Sequence, residues 1–208
     1  TEYRSIQHYD DNTLNVCIEP TYKFLDTVMN EVAALHRTAG APLKTYHIGA
    51  DETAGAWSGS PSCQALMTKT GLTAPKLGGY FVERVSADLA RRGIVAGGWS
   101  DGLSHTDPAK MPKVVQSNIW SDLGGPAIVE AHTHANRGWT TVLSIPNTLY
   151  FDVPNSTHPD ERGYNWPARS SDSFTTFAFM PENLAANAAI RTDRSALPYV
   201  AADTVPLT

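Results

Sequence analysis

Helical and extended segments alternate along this chain, and each extended segment runs out into carboxylates or aromatic rings. Phe24, Leu25, Val28, Met29, Val32 and Leu35 recur at helical spacing, which predicts an amphipathic helix over residues 21–38, capped by Thr21 and stopped by Gly40 and Pro42. Residues 43–49 read as a short buried strand entering Asp51-Glu52. Residues 54–76, rich in Gly, Ser, Thr and Pro, read as loop with a little helix. A second helix follows over 77–92, with Phe81, Val85 and Leu89 on one face. A strand over 94–99 ends in Ser100-Asp101-Gly102, and another over 114–120 ends in Ser121-Asp122. A helix over 126–136 leads to a strand over 140–145, continued by an extended segment over 147–154. Residues 155–208 are Pro-rich and loop-like apart from a helix at 182–190.

That alternation predicts an α/β fold, a parallel sheet with covering helices. The strand ends carry Asp51-Glu52, Trp99 to Asp101, Trp120 to Asp122, and Tyr150 to Asp152. Both α/β barrels and open doubly wound sheets place their chemistry at the C-terminal ends of strands. No Gly-rich phosphate fingerprint follows a strand, so a dinucleotide fold has little support. A (β/α)8 TIM barrel needs eight strands in roughly 250 residues. About four are legible here, so the whole chain, residues 1–208, is expected to be one partial barrel domain completed by other segments of the same enzyme.

Composition narrows the function. Sixteen basic against 21 acidic side chains, a net charge of −5, exclude a nucleic-acid backbone as a natural partner. No apolar run approaches the roughly 18 to 20 residues of a membrane span. The chain opens on Thr with no basic and apolar leader, and so reads as mature, trimmed or excerpted. Cys17 and Cys63 are too few for a disulfide scaffold or a zinc site; by themselves they read equally as one bridge or as two buried thiols. No metal and no organic cofactor is implied.

Asp51-Glu52 is the strongest local signal. On a regular strand the two carboxylates would face opposite ways, but at a strand-to-loop bend both can reach one cleft. Carboxylates held close do not ionise independently, which suits one of them to acid catalysis, as glycoside hydrolysis requires. An Asp-Glu pair that caps a helix start is the other reading. Trp99, Trp120, Tyr150 and Trp166 follow separate strands or their loops. Singly, a Trp is more often core than ligand platform; together, at successive strand ends, they favour a saccharide site.

His47-Ile48-Gly49-Ala50-Asp51-Glu52, Trp99-Ser100-Asp101-Gly102, Asn118-Ile119-Trp120, Leu149-Tyr150-Phe151-Asp152 and Glu161-Arg162-Gly163-Tyr164-Asn165-Trp166 occur in this order. In order and spacing they resemble the β-N-acetylhexosaminidases of glycoside hydrolase family twenty, bacterial chitobiases within it, over about Cys17 to Asn187. The resemblance implies an exo-glycosidase that takes terminal β-linked N-acetylglucosamine or N-acetylgalactosamine from chitobiose and chito-oligosaccharides. It implies Glu52 as general acid and later base, with the substrate's own acetamido oxygen as nucleophile. Asp51 would steady the acetamido N–H, and Tyr150 would orient its oxygen. Trp99 and Trp120 would wall the acetamido pocket, and Trp166 would stack on the next sugar. Cys17 and Cys63 would be bridged, hence a periplasmic or secreted protein.

Two departures accompany the resemblance. The family usually has Gly-Gly before Asp-Glu, whereas Gly49-Ala50 stands here. Neither the Arg that grips the terminal sugar nor the last-strand Trp and Glu has a match, and an incomplete barrel without turnover is the alternative reading. Among the remaining candidates, Asp101 and Asp122 read as substrate ligands or as caps of the following turns. His47 reads as support for the Asp51-Glu52 backbone. His132-Thr133-His134 reads as a solvated helix end and not as a metal pair, and Trp57 and Trp139 as packing. Arg162 and Arg169 read as loop ion-pair partners of Asp160, Glu161 or Asp172.

Overall fold

A computed structural model describes residues 13–123 and 125–184. The first dozen residues and those beyond 184, including most of the helix predicted at 182–190, lie outside the described residues. The chain divides into two compact units, Thr1–Gln116 and Ser117–Thr208.

In the first unit, α1 (Glu19–Thr38) begins two residues before the predicted start. Ile18 is its N-cap and Pro20 sits in its first turn, where a missing N–H costs nothing. Thr21 is therefore not the cap; its hydroxyl donates to the Asn15 carbonyl at 2.5 Å. β1 (Thr45–His47) is only three residues long and half-buried to exposed, shorter and less buried than the sequence suggests. It pairs in parallel with β2 (Val95–Trp99), with Thr45 opposite Val95 and His47 opposite Gly97. The ladder outlasts the strand: Ile48 N–H donates to the Gly97 carbonyl at 2.8 Å and Trp99 N–H to the Gly49 carbonyl at 3.0 Å. α3 (Leu77–Arg91) buries Leu77, Phe81, Val82, Val85 and Leu89 against β2. It also packs on α4 (Ser100–Ser104), so closely that a Cβ on Gly79 would lie 2.3 Å from the His105 carbonyl oxygen.

The stretch read as loop contains a regular helix, α2 (Pro61–Thr70). Ser60 caps it, accepting from Cys63 N–H, and Gly71 closes it at φ +75°. Only Cys63 on this helix is buried, so no apolar periodicity betrays it. Cys63 is bonded to Cys17 just before α1, with Cα atoms 5.0 Å apart. Asn15 reinforces the clamp by donating to Ser62 Oγ at 3.0 Å.

β3 (Val115–Ile119) leads the chain into the second unit. There α5 (Ala127–Asn136) connects it to its neighbour β4 (Thr140–Leu143). Ile119, Leu123, Ala127, Ala131, Ile145 and Leu184 form the core of this unit. The segment read as a continued strand turns instead into a short helix, α6 (Pro146–Leu149), because Pro146 sets helical φ and cannot donate to a ladder. Another short helix, α7 (Ser173–Phe177), is capped by Asp172, whose carboxylate accepts from Thr175 N–H at 2.7 Å.

His134 does not lie on a solvated helix end. It is 1% exposed, bonded through Nδ1 to Ser117 Oγ at 2.7 Å and packed on Trp139. Burial, and secondarily the nearby Arg137 charge, push its imidazole down to about 4. It is thus a neutral core group. Trp57 and Trp139 are both buried, as expected of packing residues.

Candidate active site

Left-handed backbone just beyond the end of β1 builds the site of the first unit. Gly49 has φ +70°, Ala50 +74° and Glu52 +50°. Left-handed backbone costs an L-residue roughly 1–2 kcal/mol, and such strain concentrates at functional turns. This turn breaks the strand alternation, which is why β1 stops at His47.

Three groups brace the turn. Asp101, at the start of α4, accepts the Glu52 backbone N–H on Oδ2 at 2.8 Å. The Gly49 N–H donates to His47 Nδ1 at 3.2 Å, a bond that requires that nitrogen to be unprotonated. Desolvation holds the His47 imidazole below its ordinary value, against the opposing pull of Asp51, and so favours that state. The His47 ring meets Trp99 edge-on, with centroids 5.1 Å apart.

Asp51 and Glu52 are both half-buried and line a cavity of about 330 Å³. Its other walls include Leu14, Val16, Ile48 and Trp57. The Trp57 indole N–H donates to the Leu14 carbonyl at 2.9 Å, so one wall hangs on the segment that the disulfide anchors. The cavity therefore combines two carboxylate residues with Thr13, Thr53 and apolar side chains, a setting for a ligand with both polar and apolar faces.

The aromatic residues of the second unit cluster among themselves. Trp120 and Trp166 meet edge-to-face at 6.1 Å, and Tyr150 meets Trp166 at 5.8 Å. Trp166 remains 51% exposed, leaving much of its ring open to a ligand. Gly163, in the same loop, lets the backbone pass close to Asp152. A Cβ there would lie 2.6 Å from the Asp152 carbonyl oxygen, and next to it Tyr164 N–H donates to that same oxygen at 2.7 Å. Asp122 sits in a turn in which its carbonyl accepts from Gly125 N–H at 2.9 Å.

Sequence reasoning missed Asn147. Its side chain accepts from Leu123 N–H at 2.9 Å and donates to the Pro167 carbonyl at 2.5 Å, tying the loop after β3 to the loop that carries Trp166. An Asn beside Pro146 carries no sequence signal that sets it apart. The sequence marks Asp101 as a candidate, but nothing local in it reveals the bond to the Glu52 backbone.

Paired carboxylates at the end of a parallel strand in the first unit, and an aromatic cluster in the second, are each features that carbohydrate-active α/β enzymes use. The catalytic-domain profile of glycosyl hydrolase family 20 matches residues 1–197. Beta-hexosaminidase B of Pseudoalteromonas piscicida is 49% identical over 203 residues, 98% of this chain and 26% of that protein. The N,N'-diacetylchitobiase of Vibrio harveyi is 33% identical over 224 residues, 91% of this chain and 25% of that protein. Among solved structures, an inactive mutant of the family 20 exo beta-N-acetylglucosaminidase from Vibrio harveyi superposes with a TM-score of 0.70 at 34% identity. That match covers 87% of this chain and 26% of the other. The chain belongs to glycosyl hydrolase family 20, and it spans about a quarter of the length of the curated relatives it matches.

The departure at Ala50 acquires a physical meaning here. At φ +74° a glycine is unstrained, whereas alanine is not. Ala50→Gly is expected to raise unfolding stability by about 0.5–1 kcal/mol, the relieved strain being partly offset by a freer unfolded chain. Urea denaturation checks this. A lowered midpoint would mean that the Ala50 methyl, which lies against Gly102, contributes more than the strain costs.

Proposed function

We propose that this chain carries the acid/base part of an exo-β-N-acetylhexosaminidase site, removing terminal β-linked N-acetylglucosamine or N-acetylgalactosamine with retention. The observation that carries the reading is the strained turn that presents Asp51 and Glu52, side by side and half-buried, to the cavity. Family membership supplies the substrate class.

The substrate's acetamido oxygen attacks the anomeric carbon as the glycosidic C–O bond breaks. Glu52 gives its proton to the leaving oxygen. Asp51 stays ionised, accepts the acetamido N–H and offsets the positive charge of the resulting oxazolinium, a preorganised electrostatic contribution. Glu52 then takes a proton from water, the water oxygen bonds to the anomeric carbon, and the amide is restored. Two inversions give net retention, the substrate-assisted exception to the two-carboxylate scheme. Holding the amide against the ring carbon makes the attack intramolecular, worth several kcal/mol. Tyr150 orients the acetamido oxygen, Trp99 and Trp120 wall the acetamido group, and Trp166 stacks on the following sugar. Asp122 contacts substrate hydroxyls. The remaining strands come from further segments of the same enzyme, and the Cys17–Cys63 bridge supports a periplasmic or secreted location.

The test compares an aryl N-acetyl-β-glucosaminide with the plain β-glucoside of the same phenol. Preference for the acetamido substrate by at least about 10³-fold is expected, as the missing nucleophile removes the proximity contribution. Equal rates would overturn the mechanism. The second reading, an incomplete barrel that binds N-acetyl sugars without turnover, is favoured by the quarter-length coverage. A monomer of 22.5 kDa in solution that binds N-acetylglucosamine and hydrolyses neither glycoside would support it.

A further inference from the structure

We infer that Asp101 is a positioning residue for Glu52, working with Gly102 as a two-point brace on the catalytic turn, and not a ligand of the sugar. The inference rests on the proposed role of Glu52. The first point of the brace is polar: Asp101 Oδ2 accepts the Glu52 backbone N–H at 2.8 Å. A carboxylate forms a charge-assisted bond there, stronger than a neutral acceptor would. The bond falls on a residue at φ +50°, a backbone state that an L-residue does not hold without support.

The second point is steric. A Cβ on Gly102 would stand 2.2 Å from the Ala50 carbonyl oxygen and 2.8 Å from its carbonyl carbon. Residue 102 must be glycine for α4 to lie against the turn at all, and this close approach is what brings Asp101 within reach of Glu52. The ladder bond from Trp99 N–H to the Gly49 carbonyl fixes the same segment one step earlier. One short stretch, residues 99–102, thus grips the turn at residues 49, 50 and 52 in register. The Glu52 carboxyl then takes its direction from a backbone held by Asp101.

The experiment uses the full chain with Asp101→Leu, which removes the acceptor at similar size, Asp101→Asn, which keeps a neutral acceptor, and Gly102→Ala. Activity is measured on a phenyl N-acetyl-β-glucosaminide, and exchange of the Glu52 amide proton is followed by NMR. Asp101→Leu should lower kcat by about 10²-fold with KM within about threefold, the signature of a misplaced acid. Its Glu52 amide should lose protection while the α3 amides keep theirs. Asn should restore most of kcat, and Gly102→Ala should reproduce the Leu pattern.

A raised KM with unchanged kcat in Asp101→Leu would overturn the inference and make Asp101 a sugar ligand. So would unchanged Glu52 amide exchange in that variant. If the enzyme that contains this chain together with its remaining barrel segments hydrolysed no N-acetylhexosaminide, yet the Glu52 amide lost protection on Asp101→Leu, the proposed function would fail and the brace would stand.

Discussion

Glu52→Gln is expected to cut kcat/KM on a substrate with a sugar or alkyl leaving group by about 10²–10⁴-fold, the usual worth of a positioned general acid. On a 2,4-dinitrophenyl N-acetyl-β-glucosaminide, whose leaving group departs without a proton, kcat/KM should stay within about tenfold of wild type. Glutamine keeps the shape of the side chain and its backbone N–H, so the bond to Asp101 and the left-handed turn survive. The loss is then chemical and not structural. Asp51→Asn should behave differently. It removes the charge that offsets the oxazolinium, and so should slow both substrates by about 10²–10³-fold, as losses of oxyanion-type stabilisation do. Steady-state kinetics on the two leaving groups decides the matter. If Asp51→Asn spared the activated substrate and Glu52→Gln did not, the assigned roles would have to be exchanged.

The second large effect concerns the covalent clamp. Replacing Cys17 and Cys63 by Ser together should lower unfolding stability by about 4 kcal/mol, the chain-entropy value for a closed loop of 46 residues. Against a typical total of roughly 5–15 kcal/mol, that loss is severe. The structure says where it falls. Cys63 sits at the start of α2, which buries no other side chain and has little packing of its own. Cys17 follows Leu14 and Val16, which line the cavity at Asp51 and Glu52. Loosening the clamp therefore loosens a wall of the site. Guanidinium unfolding of wild type and double mutant measures the difference. A loss below about 1 kcal/mol would mean that Asn15, through its bonds to Ser60 and Ser62, already closes the loop without the sulfurs.

The parts of this fold legible in sequence are those written in local periodicity. The buried face of α3 reads directly from Phe81, Val85 and Leu89, and its predicted end differs from the observed one by a single residue. β2 and β3 read within a residue or so at each end for the same reason. The errors fall where long-range contacts override local pattern. α2 is tethered by a disulfide and capped by Ser60, and neither leaves an apolar stripe. Phe24 and Leu35 sit at helical spacing, yet both are exposed on α1. Spacing assigns residues to a face but does not say how wide the buried stripe is. His134 lies on a short polar run, and only its packing on Ser117 and Trp139 makes it a core residue.

The candidate site divides along the same line. Residue identities and their order along the chain are linear properties, and the sequence alone determined the carboxylate pair, the strand-end aromatics and the family resemblance built on them. The left-handed turn at Gly49, Ala50 and Glu52, the hold of Asp101 on a backbone amide 49 residues away, and the closeness that forbids a side chain at Gly102 were decided by tertiary structure. The reason is physical. Hydrogen bonds and steric limits between distant residues exist only after the strands pair, and no local propensity encodes the register that brings them together.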